Sequence, residues 1–389
     1  MRLTSKERFA RILKHQPVDR IGLFEVFWRE TAEKWVAEGH LAQPEQISDH
    51  FGLDVRRSAG EITPGNLTVV NLIADIDAGQ QVVEETESAK LIRDGNGALL
   101  RWLKGGSGAP EHVDFSVRNR ADWEAQIRPH LLDERTYERR LNFSGYRNLR
   151  TKCAKDERFI TCGIVGPFDQ MSPACGHEYL LMGMAQDAEW VRTMADLYAT
   201  VGIHLLEMLF EREGLPDGLW VWDDLGFKGR PFMSPAMYRA QIYPAHKKLF
   251  DFAHSHGLPV ILHCDGYVEA LIPSLIEAGI NCLQPLEVKA GMDLVKLKKR
   301  FGDQIALIGG MDERVLESND RQAVEAMLLS QLPQAMAGSG YVLQVDHSVS
   351  PLVEYDTYKF FVERGLEIGT YREERLVSEP VRHKRGLLT

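Results

Sequence analysis

The segment Leu258-Pro-Val-Ile-Leu-His263-Cys264-Asp265-Gly266-Tyr267 decides the fold predicted for this chain. Its apolar run is bounded by glycine and proline, which is typical of a short, fully buried strand. Polar side chains appear where the strand ends, and parallel α/β folds build their sites at that edge. His263 and Asp265 are two residues apart, so on an extended backbone both side chains leave the same face. This spacing suits metal chelation or acid–base chemistry; a buried, hydrogen-bonded histidine is the structural alternative.

Strands and helices alternate on both sides of this segment. Predicted strands lie at 21–26, 159–165, 218–223, 259–264, 282–286, 305–308 and 341–345. Predicted helices lie at 4–15, 187–213, 234–256, 267–278, 293–301, within 314–336 and at 353–367. This alternation indicates parallel β/α units, which close most naturally as an α/β (β/α)8 TIM barrel. The alternative is an open doubly wound sheet, which is weakened because no G-x-G-x-x-G sequence follows the first strand.

The domain organisation predicted for 1–389 is a single barrel with an antiparallel β-hairpin insertion at about 69–116 and a C-terminal arm at 371–389. Two turn signals, Asp94-Gly-Asn-Gly97 and Gly105-Gly-Ser-Gly108, indicate the insertion. It is expected either to act as a lid or only to cover one barrel mouth. The arm is rich in Arg and Glu and is expected to pack on the surface or on a second subunit of a homodimer.

Composition limits the possible partners. The net charge of -10 argues against a nucleic-acid-binding surface, and 44% apolar content describes a globular protein. No apolar run of about 18 residues and no signal-peptide pattern is present, so a cytoplasmic protein without a membrane partner is expected. The five cysteines form no C-x-x-C pair and are interpreted as reduced thiols.

The predicted strands end in an unusually polar set of residues. In a barrel these ends converge on one face, where like charges repel and require a positive partner, either a divalent metal or a cationic substrate. The set comprises Asp223, Asp224, His263, Asp265, Gln284, Glu287, Gly309, Gly310, Asp312, Gln344, Asp346 and His347.

A zinc ion is the metal that fits this set. His263, Asp265, Glu287 and Asp346 offer nitrogen and oxygen ligands and leave a position open for substrate. Barrel strands also end in Asp or His without binding metal, which is the alternative. Cys264 lies between two inward-facing residues, so strand alternation predicts that it points outward.

The remaining candidates have catalytic or binding roles. For catalysis we select Asp223, Asp224 and His347; Asp223 follows an apolar run where burial favours a protonated carboxyl. The alternative for Asp224 is capping of the following turn. Further candidates are aromatic residues suited to a planar ligand, one arginine, and a glycine that permits close backbone approach. For cofactor binding these are Trp222, Tyr267 and Gly310, and for substrate binding Trp28, Arg29 and Phe168.

Motifs along nearly the whole chain resemble the uroporphyrinogen decarboxylase superfamily, which also contains corrinoid-dependent methyltransferases. The resemblance implies a (β/α)8 barrel with its site at the C-terminal mouth. The motifs are Thr4-Ser-Lys-Glu-Arg8, Pro17-Val-Asp-Arg20, Trp222-Asp-Asp-Leu-Gly226, Ser234-Pro235, His263-Cys-Asp-Gly266, Glu277-Ala-Gly279, Gly309-Gly-Met-Asp312 and Asp346-His347.

Two departures from the family patterns bear on function. Uroporphyrinogen decarboxylases carry Arg-Gln-Ala-Gly-Arg after the first strand to receive substrate carboxylates, whereas this chain has Phe27-Trp-Arg-Glu-Thr31. The methyltransferases bind zinc through His-x-Cys and a later Cys. This chain keeps His263 but has Asp265 in place of the first Cys and Asp346-His347 near the later one.

The resemblance and its departures imply methyl transfer between a small methoxylated or methylated substrate and a corrinoid (cobalamin) carried by a partner protein, in either direction. Zinc in an oxygen- and nitrogen-ligand site would act as a Lewis acid toward an ether oxygen or another oxygen or nitrogen centre. Two alternatives stay open. One is a decarboxylase acting on a tetrapyrrole or another carboxylate, and the other is a barrel that only binds a ligand or a corrinoid.

Overall fold

Eight parallel strands form the central sheet of the computed structural model, which describes residues 2–63, 69–104 and 110–371. The strand order is β1-β8-β7-β6-β5-β4-β3-β2, and helices cover the outside, as the predicted TIM barrel requires. The fold class is therefore confirmed. The strands are β1 Gly22–Leu23, β2 Val55–Arg57, β3 Phe159–Val165, β4 Gly218–Trp222, β5 Val260–His263, β6 Cys282–Gln284, β7 Ala306–Ile308 and β8 Tyr341–Leu343.

The seam between β1 and β2 is held by Asp54. The Asp54 backbone N–H donates to the Leu23 carbonyl at 2.8 Å, and the Leu23 N–H donates to Asp54 Oδ2 at 2.8 Å. Arg8 Nη1 donates to Asp54 Oδ1 at 2.7 Å, and Arg20 Nη1 donates to Asp54 Oδ2 at 2.8 Å. Asp54 is fully buried, so this carboxylate joins the two edge strands and the two arginines where the sheet would otherwise be open.

Two apolar layers follow from strand alternation. Side chains such as Phe24, Trp220, Ile261 and Ile308 fill the barrel interior. The intervening positions, Leu262 among them, pack between the strands and the helices. The polar residues that follow the strands lie above the inner layer, at the C-terminal mouth.

Several helices begin and end close to the predicted positions, whereas the helix predicted at 267–278 begins only at Ile272. The main helices are α1 Ser5–Ile12, α2 Arg29–Ala37, α3 Phe143–Lys155, α4 Pro167–Gln186, α5 Ala188–Glu213, α6 Pro235–Gln241, α7 Tyr243–Ser255, α8 Ile272–Ala278, α9 Leu294–Phe301, α10 Glu313–Glu317, α11 Arg321–Ala335 and α12 Tyr355–Ile368. Shorter helical segments are Pro44–Gln46, Ile47–His50, Arg120–Gln126, Arg128–Leu131, Glu134–Arg140 and Val288–Ala290.

Two predicted helices are each divided in the structure. The helix predicted at 234–256 is α6 followed by α7, because Pro244 lacks an N–H and is favoured at a helix start. The helix predicted within 314–336 is α10 followed by α11, and Asn319 between them has a φ of 53°. No helix of the described residues combines the length and the apolar character needed to cross a membrane.

The predicted insertion is a four-stranded antiparallel sheet. The Gly97 N–H donates to the Asp94 carbonyl at 3.0 Å, and Gly97 has a φ of 78°, so the first turn signal forms the expected turn. The second turn signal and residues 372–389 of the arm lie outside the described residues. The four strands are Gln81–Glu85, Ala89–Arg93, Leu99–Leu103 and Glu111–Asp114.

Candidate active site

A cavity of about 440 Å³ lies at the C-terminal ends of the barrel strands. Its volume is within the range of sites for small molecules. Most of its polar lining comes from residues that directly follow strands, as in other barrels of this kind. The lining includes Trp28, Arg57, Gly60, Asp169, Gln170, Trp222, Asp224, His263, Asp265, Gln284, Gln344 and His347.

Three of these residues form a group that could hold a metal ion. One ligand atom from each of Asp224, His263 and Asp265 lies within 4.8 Å of the others. His263 Nε2 is 3.8 Å from Asp224 Oδ1 and 3.7 Å from Asp265 Oδ2. The Asp265 N–H donates to Asp224 Oδ1 at 2.7 Å, which fixes the strand-end loops of β4 and β5 against each other. We call Asp224, His263 and Asp265 the triad.

A chain of hydrogen bonds orients His263. Gln284 Nε2 donates to Gln344 Oε1 at 3.0 Å, so Gln284 Oε1 faces His263 Nδ1 at 2.7 Å and accepts a hydrogen bond from it. Gln344 in turn hydrogen-bonds to the buried Glu25. With Nδ1 donating to Gln284, it is Nε2 that faces the two carboxylates, and in the neutral ring this nitrogen has the lone pair with which a histidine binds metal.

The two carboxylates of the triad outnumber its single imidazole. Asp265 Oδ1 is buried and has no hydrogen-bond partner among the described residues. Burial raises the pKa of Asp265 to about 7; the Asp224 and Glu287 carboxylates add to this rise, and His263 opposes it. A buried carboxylate oxygen without a partner is costly. The donor set of one nitrogen and two carboxylates therefore fits a divalent cation.

Asp169 is a site residue that the sequence reasoning missed. It lies in the first turn of α4, lines the cavity, and accepts a hydrogen bond from the Asp224 N–H at Oδ2, at 3.0 Å. Burial raises the pKa of Asp169 well above its ordinary value, and Asp224 and Asp223 reinforce the rise. The only signal in the sequence was its position three residues after Gly166, at the end of β3.

His347 lies beside Asp265 of the triad. Its Nε2 is 3.9 Å from Asp265 Oδ2, and its ring centroid is 6.0 Å from that of Trp28. Burial lowers the pKa of His347 to about 4, with a further contribution from Lys289, so the ring is neutral near pH 7. Of the four aromatic residues suggested for a planar ligand, Trp28 and Trp222 line the cavity.

Asp223 lies outside the cavity lining. Its carboxylate hydrogen-bonds to His246 Nε2 and accepts the Asp169 N–H at 2.6 Å. Tyr238 Oη is 2.9 Å from His246 Nδ1, and all three side chains are fully buried. These hydrogen bonds join β4 to α4, α6 and α7, so Asp223 has a structural role. The neighbouring Asp224 lines the cavity instead.

Two predicted metal ligands also lie apart from the triad. Asp346 accepts the Glu313 N–H at 2.9 Å and the Val288 N–H at 2.8 Å, so both oxygens already have backbone donors. Glu287 Oε2 accepts the Gly266 N–H at 2.7 Å and lies on the far side of Asp265 from the cavity. Of the four predicted ligands, the triad contains His263 and Asp265.

Four predicted binding residues do not line the cavity. Arg29 is partly exposed and pairs with Glu45 at 3.8 Å, while Phe168 is fully buried. The Tyr267 hydroxyl donates to Glu269 at 3.2 Å. A Cβ on Gly310 would lie 2.8 Å from Leu294 Cβ, so this glycine allows close packing of a loop on α9.

Cys264 points outward, as strand alternation predicted. It belongs to the apolar layer between the barrel and the helices, and its sulfur accepts the Leu225 N–H at 3.2 Å. Burial raises the pKa of the Cys264 thiol well above its ordinary value, with the Asp224 carboxylate adding to the rise. It therefore stays a neutral thiol and is no ligand of the triad.

A second hollow, of about 460 Å³, adjoins the first. Both hollows are lined by Asp169, Asp224 and Asp265, so these carboxylates form the wall between them. The second hollow also contacts Phe227, of which 55% is exposed. The triad can therefore be approached from two sides.

Comparison with known proteins identifies the family. The model of the family "Uroporphyrinogen decarboxylase (URO-D)" matches residues 115–367, which is more than half of the chain. The chain belongs to the uroporphyrinogen decarboxylase family. The family resemblance inferred from the motifs is thereby confirmed.

Relatives within the uroporphyrinogen decarboxylase family cover part of the chain. A uroporphyrinogen decarboxylase of Streptomyces coelicolor is 33% identical over 131 residues, and one of Streptomyces avermitilis is 32% identical over 131 residues. These matches span 34% of this chain and 36% of each relative. A solved methyltransferase from Methanosarcina mazei superposes with a TM-score of 0.62 and 18% identity, covering 94% of this chain and 99% of that one. At that identity the likeness concerns the fold.

Replacing Gln284 tests the orientation of His263 in this family member. We expect Gln284→Leu to lower the affinity for added zinc about 10–100-fold. Leucine cannot accept a hydrogen bond from His263 Nδ1, so the imidazole ring loses its fixed orientation. Competition with a chromogenic chelator measures this affinity. Gln241→Leu is the matched control: Gln241 is also buried, but it donates to the Met184 carbonyl outside the cavity, so zinc affinity should not change. Equal affinities in all three proteins would contradict the role of Gln284.

Proposed function

We propose that this protein is a zinc-dependent methyltransferase, which moves a methyl group between a small methoxylated or methylated substrate and the corrinoid of a partner protein. The observation that carries the proposal is the triad: His263 Nε2 faces two carboxylates, and one of them keeps a buried oxygen without a partner in the described residues. A decarboxylase that needs no metal has no evident use for such a group.

The triad residues fit zinc and leave it accessible. Asp224, His263 and Asp265 would hold the ion, and three protein ligands with an open position are typical of catalytic zinc sites. When bound, zinc would supply Lewis acidity to a substrate oxygen. Carboxylate and imidazole ligands are harder than the thiolates of the His-x-Cys methyltransferase site. A zinc ion that they hold is therefore better suited to an oxygen leaving group than to a thiol.

The other cavity residues bind and orient the substrate. Trp28 and Trp222 offer apolar ring surfaces to its organic part. Gln284 and Gln344 hold His263 in place, and the neutral His347 lies beside Asp265. In the demethylating direction the carbon–oxygen bond of the substrate breaks and its electron pair stays on the oxygen, which takes up one proton from solvent. The methyl carbon binds the cobalt(I) of the corrinoid substrate, whose electron pair forms the new bond.

The two hollows support a transfer between a small substrate and a corrinoid on a partner protein. One reactant must occupy the 440 Å³ cavity while the other approaches the same carboxylate wall, and the second hollow offers that approach. A corrinoid on a partner protein requires such an open side. A decarboxylation has one organic reactant and requires a single cavity.

Metal analysis combined with a transfer assay tests the proposal. Protein purified without chelator should contain about one zinc per chain. With 4-methoxybenzoate or methoxyacetate and chemically reduced cobalamin, we expect methylcobalamin to form only when the zinc-containing protein is present. Chelation should abolish the reaction, and restored zinc should recover it. Protein without bound metal, or without transfer from either methyl ether, would contradict the proposal.

The second candidate function is decarboxylation of a tetrapyrrole or another carboxylate. The names of the Streptomyces relatives favour it. It predicts release of CO2 from uroporphyrinogen by the purified protein, without a corrinoid and with chelator present. The cavity volume of about 440 Å³ and the partly exposed position of Arg29 outside it favour a smaller substrate.

A further inference from the structure

Arg57 is a buried arginine that the mechanism above does not use. It is the last residue of β2, lines the cavity, and is only 6% exposed. Its guanidinium carbon lies 5.3 Å from the ring centroids of Phe24 and Trp220 and 5.6 Å from that of Trp222. The cation therefore rests on the apolar layer that fills the barrel interior and forms part of the cavity wall.

The hydrogen bonds of Arg57 are incomplete. Its Nη2 donates to the Gly60 carbonyl at 2.8 Å, whereas the buried Nε has no partner among the described residues. Within residues 2–63, 69–104 and 110–371 no carboxylate lies at ion-pair distance from it. Burial lowers the pKa of Arg57 to about 10, with the Glu61 and Glu25 carboxylates opposing the shift, so the guanidinium is charged near pH 7.

The neighbouring Arg56 shows what a structural arginine looks like at this place. Its guanidinium donates to Glu61 at 2.8 Å and to Asp49. Glu61 is fully used, because it also accepts from Ser48 at 2.8 Å and from the Arg57 backbone N–H at 2.9 Å. Glu61 therefore pairs with Arg56, whereas the Arg57 guanidinium lines the cavity without a direct ion-pair partner among the described residues.

We propose that Arg57 binds an anionic group of the substrate, so that the substrate of this enzyme is a small carboxylate. The inference deepens the proposed function, on which it rests for the identity of the site. One wall of the cavity carries the triad and another carries a cation, a pattern that selects a molecule with an oxygen function at one end and a carboxylate at the other. An arginine in this position can bind a carboxylate with two parallel hydrogen bonds.

The test compares benzoate with benzamide, which has the same shape and no charge, by calorimetric titration of the purified protein. We expect benzoate to bind at least about tenfold more tightly than benzamide, because a hydrogen bond to a charged group adds that much affinity. Arg57→Met should erase the preference. Arg57→Lys should retain part of it, since lysine keeps the positive charge but lacks the paired N–H donors of the guanidinium. Arg239→Met, which alters an exposed arginine paired with Glu277, should keep the full preference.

His263→Ala separates this inference from the proposed function. The variant is expected to lose the metal and to keep the preference for benzoate. The inference would be overturned if the wild-type protein showed no preference for benzoate, or if the preference survived Arg57→Met. It would also be overturned if His263→Ala erased the preference, because the carboxylate would then bind the metal. If Arg57→Met does not fold, as circular dichroism will show, the Arg57→Lys result decides: an undiminished preference overturns the inference. A protein without zinc that still selects benzoate through Arg57 would refute the methyltransferase and leave the anion site standing.

Discussion

If the proposed function is right, replacement of His263 by alanine will remove zinc from the triad and reduce methyl transfer about 10²–10³-fold, because the Lewis acid is lost. His263 supplies the only nitrogen in the triad, and its Nε2 lies within 4 Å of both carboxylates. Without the imidazole, only the Asp224 and Asp265 carboxylates remain as ligands of the triad. Elemental analysis of the variant measures the metal, and the methylcobalamin assay measures the activity.

The matched control is His204→Ala. His204 is exposed on α5, where its ring contacts Tyr137 on the outside of the barrel. This variant should retain its zinc and its activity. Thermal melting must show that both variants are folded. A folded His263→Ala protein with a full complement of zinc would place the metal elsewhere and remove the basis of the proposed function.

Replacement of Asp54 by alanine is expected to lower the free energy of unfolding by about 3–5 kcal/mol. The change leaves Arg8, whose guanidinium is nearly buried, without one of its two carboxylate partners. It also removes the side-chain acceptor of the Leu23 N–H at the seam between β1 and β2. A buried charge that loses its partner costs far more than an exposed one. Urea denaturation followed by circular dichroism measures the difference.

Asp77→Ala is the comparison for Asp54. Asp77 also pairs with an arginine, Arg139, but both side chains are more than half exposed. Water replaces such an ion pair, so the stability should change little. If Asp54→Ala were as mild as Asp77→Ala, the barrel seam would not depend on the buried carboxylate.

Some of the site could be predicted because strand ends in a parallel barrel converge. His263 and Asp265 are two residues apart on one strand, so their common direction follows from the local backbone. The sequence also showed which carboxylates follow the other strands. It did not show which of them lack hydrogen-bond partners and can therefore bind a ligand. Asp223 accepts a hydrogen bond from His246, and Asp346 accepts one from the Glu313 backbone N–H. Both partners come from distant parts of the chain.

Arg57 shows why other parts of the site could not be predicted. Its strand, β2, has only three residues, Val55–Arg57, and two of them are arginines. Such a segment has neither the apolar run nor the alternation by which a buried strand is found in a sequence. The arginines are tolerated there because Glu61 and Asp49 balance Arg56 and three aromatic rings surround Arg57.

The sequence by itself determined the alternation of strands and helices, the barrel that this order forms, and the face on which His263 and Asp265 lie. These depend on the periodicity of apolar residues and on the direction of side chains along a strand, which are local properties. The tertiary structure alone decided that Asp224 rather than Asp223 joins them, that Gln284 orients the histidine, and that Arg57 faces the same cavity. Those choices depend on which hydrogen-bond partners the folded chain brings to each polar group, and sequence neighbours do not supply them.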